Sequence, residues 1–428
     1  MLRFLDQVNT IVGMLLFLAY LYQVFYTLYG LAFCRRDRRK AARQTPAKPS
    51  RRYAALICAR NEESVIGELI SSLRAQDYPA ELLDIYVLAD NSTDATARVA
   101  RQAGAIAFER FNPYQVGKGY ALNELFSQIR SRRPLSDYDA FLVFDADNIV
   151  DSHFVSAMDR TFAQGYDVLT SYRNSKNFAS SWVSAGYSIW FLREARFLNY
   201  PRMKLHTNCA ISGTGFLVSS KIIEENGGWP YHLLTEDIQF STVCATKGWR
   251  IGYCDDAILY DEQPVTFSQS WRQRMRWSKG YLQVFRKYAS ELFSGIARGS
   301  FSCYDMTMNI MPAAVLTGLS VVVNIGAAIA NATSGGSMAV LAVSVLQTLM
   351  SLYLTLFVLG AITTVTEWKN IRCAAWKKVL YAFTFPLFML TYVPICIASL
   401  FTKVEWKPIC HTRVMTLEQI EEPGLRAS

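Results

Sequence analysis

The chain has 428 residues, 51% of them hydrophobic and only 18% charged, where soluble domains carry about 25% charged residues. That balance excludes collagen-like, disordered and disulfide-scaffold classes and describes a chain partly in lipid and partly in water. A formal net charge of +9 would suit a nucleic-acid binder, so the placement of the basic residues decides its meaning. Nine cysteines without a C-x-x-C pair and four scattered histidines exclude a disulfide framework and a zinc centre.

In chain order, residues 7–34 carry no charge, and 11–33 are long enough to cross ~30 Å of hydrocarbon. The run ends in Cys34-Arg35-Arg36 rather than at a small-residue cleavage site, which predicts an N-terminal transmembrane helix over 1–34 and not a signal peptide. Residues 35–52 hold nine basic side chains against one acid, Asp37, and form a basic juxtamembrane linker.

Residues 53–265 have a different texture. The apolar runs 53–58, 85–90 and 140–145 are each followed by a polar loop and a helix-like segment, as buried parallel strands are in α/β units. Two of them end at aspartates, Asp90 and Asp145, and open α/β sheets bind ligands at the carboxyl ends of their strands. No G-x-G-x-x-G or G-x-x-x-x-G-K-[ST] follows the first run, against a dinucleotide dehydrogenase or a P-loop ATPase.

Residues 266–304 are predicted as amphipathic interface helices. Within them 272–287 carry six basic residues and no acid, interleaved with Trp277, Tyr281, Leu282 and Phe285. That pattern suits an anionic membrane surface beside a span better than nucleic acid.

Residues 306–366 carry no charge and divide at the polar turn 331–336 into segments 306–330 and 338–366; a further uncharged run, 379–402, contains Pro386 and Pro394. The expectation is three transmembrane helices over 305–402, the third kinked or re-entrant, then a tail over 403–428. The basic flanks place the middle region in the cytosol.

Asp145-Ala146-Asp147, just past a buried strand, can converge on a hard divalent cation, Mg²⁺ or Mn²⁺, that bridges to a diphosphate; the alternative is a solvated loop. Asp90-Asn91-Ser92-Thr93-Asp94 can accept from a pyrimidine N–H or simply cap the next helix. Thr235-Glu236-Asp237 offers either a general base or an N-cap with first-turn acids. Gly117-Lys118-Gly119 can bring one ammonium to a phosphate.

Taken in order, these segments resemble the membrane-bound family 2 glycosyltransferases, the group of cellulose, hyaluronan, chitin-oligosaccharide and poly-N-acetylglucosamine synthases. The matching segments are Ala59-Arg60-Asn61-Glu62-Glu63, Asp90 with Asp94, Gly117-Lys118-Gly119, Asp145-Ala146-Asp147, Gly213-Thr214-Gly215-Phe216, Thr235-Glu236-Asp237 and Gln273-x-x-Arg276-Trp277, over about residues 53–280. The resemblance implies an α/β GT-A domain with a mixed, mainly parallel sheet, joined to the helical membrane region. By it, Ala59, Asn61, Glu62 and Asp90 hold a uridine and Lys118 lies near it or its diphosphate. Asp145 and Asp147 match the D-x-D motif, Asp147 being the more direct ligand of Mg²⁺ or Mn²⁺. Asp237 matches the catalytic base, with Glu236 beside it. Gly213 and Thr214 shape the acceptor site. Gln273, Arg276 and Trp277 match Q-x-x-R-W, the Arg meeting the diphosphate and the Trp packing beneath the acceptor sugar.

The expected reaction is inverting transfer from a UDP-sugar, UDP-N-acetylglucosamine first and UDP-glucose second. Q-x-x-R-W, typical of processive members, favours a growing glycan as acceptor; single-sugar transfer to a membrane lipid is the alternative. One span before the domain and three after it is a smaller count than several polymer synthases have. The spans themselves hold no charged residue, which disfavours a transporter. The expected location is a bacterial plasma membrane, with the catalytic domain on the cytoplasmic side and lipids, not nucleic acid, against the basic flanks.

Overall fold

The computed structural model describes residues 2–41, 50–311 and 338–404, together with 326, 333, 415, 416, 418 and 419. Most of the expected span 306–330, the polar turn 331–336 apart from residue 333, residues 42–49 of the basic linker and most of the tail lie outside the described residues.

Eight strands among them form one sheet in the order β3-β2-β1-β4-β7-β6-β8-β5. They are β1 (Tyr53–Ala59), β2 (Leu83–Asp90), β3 (Ile106–Arg110), β4 (Ala140–Asp145), β5 (Ile149–Val150), β6 (Val168–Ser175), β7 (Phe216–Ser219) and β8 (Ile251–Asp261). The β3-β2-β1-β4 half is parallel throughout; β7 runs antiparallel between β4 and β6, and β8 is parallel to β6.

Side chains alternate across the strands, and both faces are covered. Leu56, Phe141 and Val143 face one core with Leu122, Leu125 and Phe126 of helix Lys118–Arg130. Ile57, Leu142 and Phe144 face the other, with Leu69, Ile70 and Leu73 of helix Ile66–Arg74 and Phe154 and Met158 of helix Phe154–Phe162. Burying one such side chain is worth about 1.5–3 kcal/mol, so the apolar runs are held as strands by both cores.

Three helices among the described residues have the length and apolar composition to cross a membrane: Gly13–Cys34, Leu349–Thr366 and Ala375–Phe401. The first belongs to a 40-residue helix, Leu2–Ala41, which continues into the stretch read as linker because Arg and Lys are good helix formers. The last is broken into Ala375–Leu390 and Tyr392–Phe401 at Thr391. Pro394 has no N–H for the Leu390 carbonyl and its ring crowds that oxygen. Arg274 stabilises the break, its Nη1 donating to the Phe388 carbonyl at 3.0 Å and to the Thr391 hydroxyl at 2.7 Å.

Arg274 lies on the 31-residue helix Phe267–Ala297, which starts in a capping box between Thr266 and Gln269. Apart from Arg276, the basic residues of this segment are expected on lipid headgroups. Two of them turn inward instead: Arg274 is buried and Lys279 donates to the Ser399 carbonyl at 3.0 Å, while Arg276 lines a cavity. Arg272, Arg286 and Lys287 remain exposed.

Two buried ion pairs lock the sheet domain onto the apolar helices. Arg202 forks onto Asp305 at 2.8 and 2.7 Å, and Tyr22 of the N-terminal helix donates to the same carboxylate at 2.9 Å. Arg196 meets Asp255 and Glu367, and Tyr172 donates to Glu367 at 2.6 Å. Arg196 projects from Ala195–Asn199, a π-helical turn between helices Trp182–Glu194 and Tyr200–Lys204. Such turns add a residue and re-aim those around them.

Candidate active site

Parallel pairing brings the carboxyl ends of β1, β2 and β4 to one edge: Ala59 pairs with Ala89, and Cys58 with Asp145. The loops leaving this edge, helix Glu236–Lys247 and helix Phe267–Ala297 enclose a cavity of about 620 Å³. Ala59, Glu62, Asp90, Lys118, Asp145, Asp147, Gly213, Glu236, Asp237, Gln273, Arg276 and Trp277 all line it.

Asn61 and Thr214 do not line it; each supports it from behind. Asn61 sits at φ 57°, its Oδ1 accepting from the Thr93 N–H at 2.8 Å and its own N–H donating to Ser92 Oγ at 3.2 Å. It thereby clamps the β1 loop to the loop carrying Asp90. Thr214 Oγ1 accepts from the Asp145 N–H at 2.9 Å and is bonded to Asn148, which fixes the D-x-D turn.

Asp90 is buried, and both its hydrogen bonds fall on Oδ1, from Arg110 at 2.7 Å and Asn91 at 3.2 Å. Burial raises its carboxyl above the ordinary range, and Arg110 only partly offsets this. Lys118 begins its helix after Gly117; its Nζ meets the Asp145 carboxylate and donates to the Gly213 carbonyl at 2.7 Å. Burial opposes the ammonium, but Asp145 and Glu236 hold it above its usual value.

Glu236 and Asp237 open helix Glu236–Lys247, where free backbone N–H groups favour negative charge. Both are nevertheless raised. Glu236 is pushed up by burial and by the charge of Asp237; Asp237 is pushed up by burial, against the Ile238 N–H and Arg276. Arg276 Nη1 donates to the Leu234 carbonyl at 2.8 Å, tying Q-x-x-R-W to the acidic loop. Gly280 makes that approach possible, since a Cβ there would lie 2.5 Å from Thr235 Oγ1. Trp277 stands edge-on to Tyr187 and Phe191, with centroids 5.7 and 6.3 Å apart.

Arg173 and Asp261, not singled out from the sequence, also line the cavity and form an ion pair. Asn148 Nδ2 donates to Asp261 at 3.3 Å, beside Asp147. The signal was present: β8 also ends an apolar run at an aspartate.

Asp145 and Asp147 supply hard oxygen donors at the cavity edge, the donor chemistry a divalent cation needs. Among the described residues no three acidic, His or Cys groups form a ready cage. Such an ion would therefore draw its remaining ligands from a diphosphate and water, as Mg²⁺ commonly does.

Away from the carboxylates the same cavity runs between the apolar helices, where Ile310, Met311, Leu352, Leu356, Met389, Leu390 and Val393 line it.

A family model described as "Glycosyltransferase like family 2" matches residues 49–280, more than half of the chain. The chain belongs to glycosyltransferase family 2. This glycosyltransferase is 28% identical over 281 residues to the beta-monoglucosyldiacylglycerol synthase of Nostoc sp., covering 62% of this chain and 57% of that protein. It is 24% identical over 253 residues to the poly-beta-1,6-N-acetyl-D-glucosamine synthase of Staphylococcus epidermidis, covering 58% of each. The match thus spans less than two thirds of either relative. The solved mannosyltransferase PcManGT from Pyrobaculum calidifontis, in complex with GDP-Man and Mn²⁺, superimposes with a TM-score of 0.57 over 92% of this chain and 98% of its own, at 15% identity. The two share the GT-A fold with its C-terminal helices.

Proposed function

We propose that this glycosyltransferase moves a hexose from a UDP-sugar to a hydroxyl of a membrane lipid, with inversion at the anomeric carbon. The observation that carries the reading is the single cavity that joins the carboxylate-lined pocket to a mainly apolar cleft among the helices, in which Asn309, Tyr392 and Ser399 are polar exceptions. A glycan threading that cleft would bury hydroxyls against Leu352, Leu356, Met389 and Val393, which offer no hydrogen bonds, at a cost of about 1–3 kcal/mol each. A hydrocarbon tail loses nothing there. The cavity thus favours the lipid acceptor over the growing glycan that Q-x-x-R-W suggested.

In this reading Asp237 takes the proton of the acceptor hydroxyl as the oxygen attacks the anomeric carbon, and the UDP leaves on the opposite face. Asp90, Ala59 and Glu62 hold the uridine, with Asn61 and Thr214 bracing their loops. Lys118 and Arg276 lie where the leaving diphosphate gains charge. Asp147 and Asp145 would hold Mg²⁺ or Mn²⁺, a Lewis acid for the diphosphate oxygens. Glu236, beside Asp237, tunes the base. The sheet domain faces the cytoplasm of a bacterial cell, with the exposed basic residues against the plasma membrane.

The experiment is incubation of the purified protein with radiolabelled UDP-N-acetylglucosamine or UDP-glucose and a membrane lipid extract. One organic-soluble product supports the reading; a ladder of water-soluble products overturns it in favour of polymer synthesis.

A further inference from the structure

Near Asp237 the cavity wall carries a further carboxylate, one to which the proposed reaction gives no role. Glu194 ends helix Trp182–Glu194, is half-buried, and lines the cavity together with Asp237. Among the described residues its one hydrogen bond is from Ser212 Oγ, to Oε1 at 3.2 Å. No basic side chain stands within ion-pairing distance of it among the described residues. The cations whose fields reach it are engaged elsewhere, Arg202 with Asp305 and Arg173 with Asp261. Burial raises its carboxyl against those two charges.

A carboxylate drawn out of water and left with one weak hydrogen bond is costly unless a ligand completes its shell. Its surroundings describe that ligand. Tyr281, one helical turn beyond Trp277, lines the cavity close enough for the charges of Asp237 and Glu194 to act on its hydroxyl, which has no hydrogen-bond partner among the described residues. Gln273 Oε1 is buried and likewise unpartnered. Phe191 and Trp277 wall the space beside them with aromatic surface, on which the C–H face of a sugar ring packs well. Two acceptor oxygens and one hydroxyl, set against aromatic rings and close enough to the Asp237 base for its charge to act on Glu194 and Tyr281, suit a head group that offers hydroxyls besides the reacting one.

We propose that Glu194 and Tyr281 form a second hydroxyl-recognition point, which restricts the acceptor to lipids whose head bears several hydroxyls, such as a sugar-headed lipid, and excludes a bare diacylglycerol with its single hydroxyl. This rests on the lipid-acceptor reading above. The recognition energy is of the kind that makes a site built to bond a hydroxyl reject the analogue lacking it.

The test uses the full chain in mixed micelles with saturating donor, offering either dioleoylglycerol or monohexosyl-dioleoylglycerol as acceptor. The wild type is expected to favour the hexosyl lipid in kcat/KM by about 100-fold. Glu194→Gln and Tyr281→Phe should each raise KM for that lipid about tenfold and narrow the preference, with the donor KM moving less than about twofold. An unchanged acceptor KM in both variants, or equal use of the two lipids by the wild type, overturns the proposal while leaving lipid transfer intact. Transfer to neither lipid, with a water-soluble ladder formed instead, overturns the parent reading and this proposal together.

Discussion

At the scale of single residues, the proposed chemistry rests on the acidic pair at the start of helix Glu236–Lys247. Asp237→Asn should lower transfer by more than about 10³-fold, as removing a general base from a polar step does. UDP binding by calorimetry should stay within about threefold, since Asp90 and the phosphate-facing cations are untouched. The raised Asp237 carboxyl carries its own sign. A base must be unprotonated to work, so the acidic limb of the kcat/KM profile should fall at a higher pH than an ordinary aspartate would give. Glu236 is raised as well, so the folded chain binds that proton more tightly than the unfolded one and loses stability as pH rises through the shifted value. In metal-free buffer Glu236→Gln should therefore melt higher than the wild type at pH 8, with the advantage vanishing below about pH 4.5, the ordinary glutamate range. Asp90 and Asp145 were legible because each ends an apolar run, and Glu236 and Asp237 through the acidic motif Thr235-Glu236-Asp237. Glu194 was not: it sits mid-chain among Trp, Phe and Leu with no turn signal, and only the fold brings it to Asp237.

At the scale of elements, helix Phe267–Ala297 is the part whose role the sequence half concealed. Six positive charges without an acid read as a lipid-facing surface. Nothing in that periodicity marks Arg274 as the group that holds a broken helix over a hundred residues away, because the pairing depends on where Pro394 frees a carbonyl. Gly280→Ala tests the close approach that this helix needs. A Cβ 2.5 Å from Thr235 Oγ1 must push the helix off the acidic loop and carry Arg276 with it. The variant should fold, with a cost of about 1–3 kcal/mol, yet lose about 10²-fold in kcat, as misplacement by an ångström can do. Thermal unfolding and steady-state kinetics on one preparation separate the two effects.

At the scale of the whole molecule, the sheet order needed tertiary pairing to become visible, whereas the alternation of apolar runs and loops announced an α/β domain directly. The seam to the apolar helices was the least readable part. Asp305 and Glu367 are the charges that bound the long apolar stretch, and in the sequence they look like its solvated ends. In the structure both are buried against arginines. Asp305→Asn, which strands the Arg202 guanidinium, should destabilise the protein by about 3–5 kcal/mol, read as a lower melting temperature in detergent. Adding Arg202→Met should restore most of the loss, because an apolar pair tolerates that environment better than one unpaired charge.

Those two ion pairs also bear on how such chains can diverge. A recombinant that joined this sheet domain to another enzyme's membrane segment would need an acid in register with 305 to receive Arg202, and Arg196 would keep only Asp255 unless an acid also stood in register with 367. The halves are therefore constrained to be exchanged as a unit, and a change of acceptor is more accessible through the residues around the cleft than through a swap of the helices that form it.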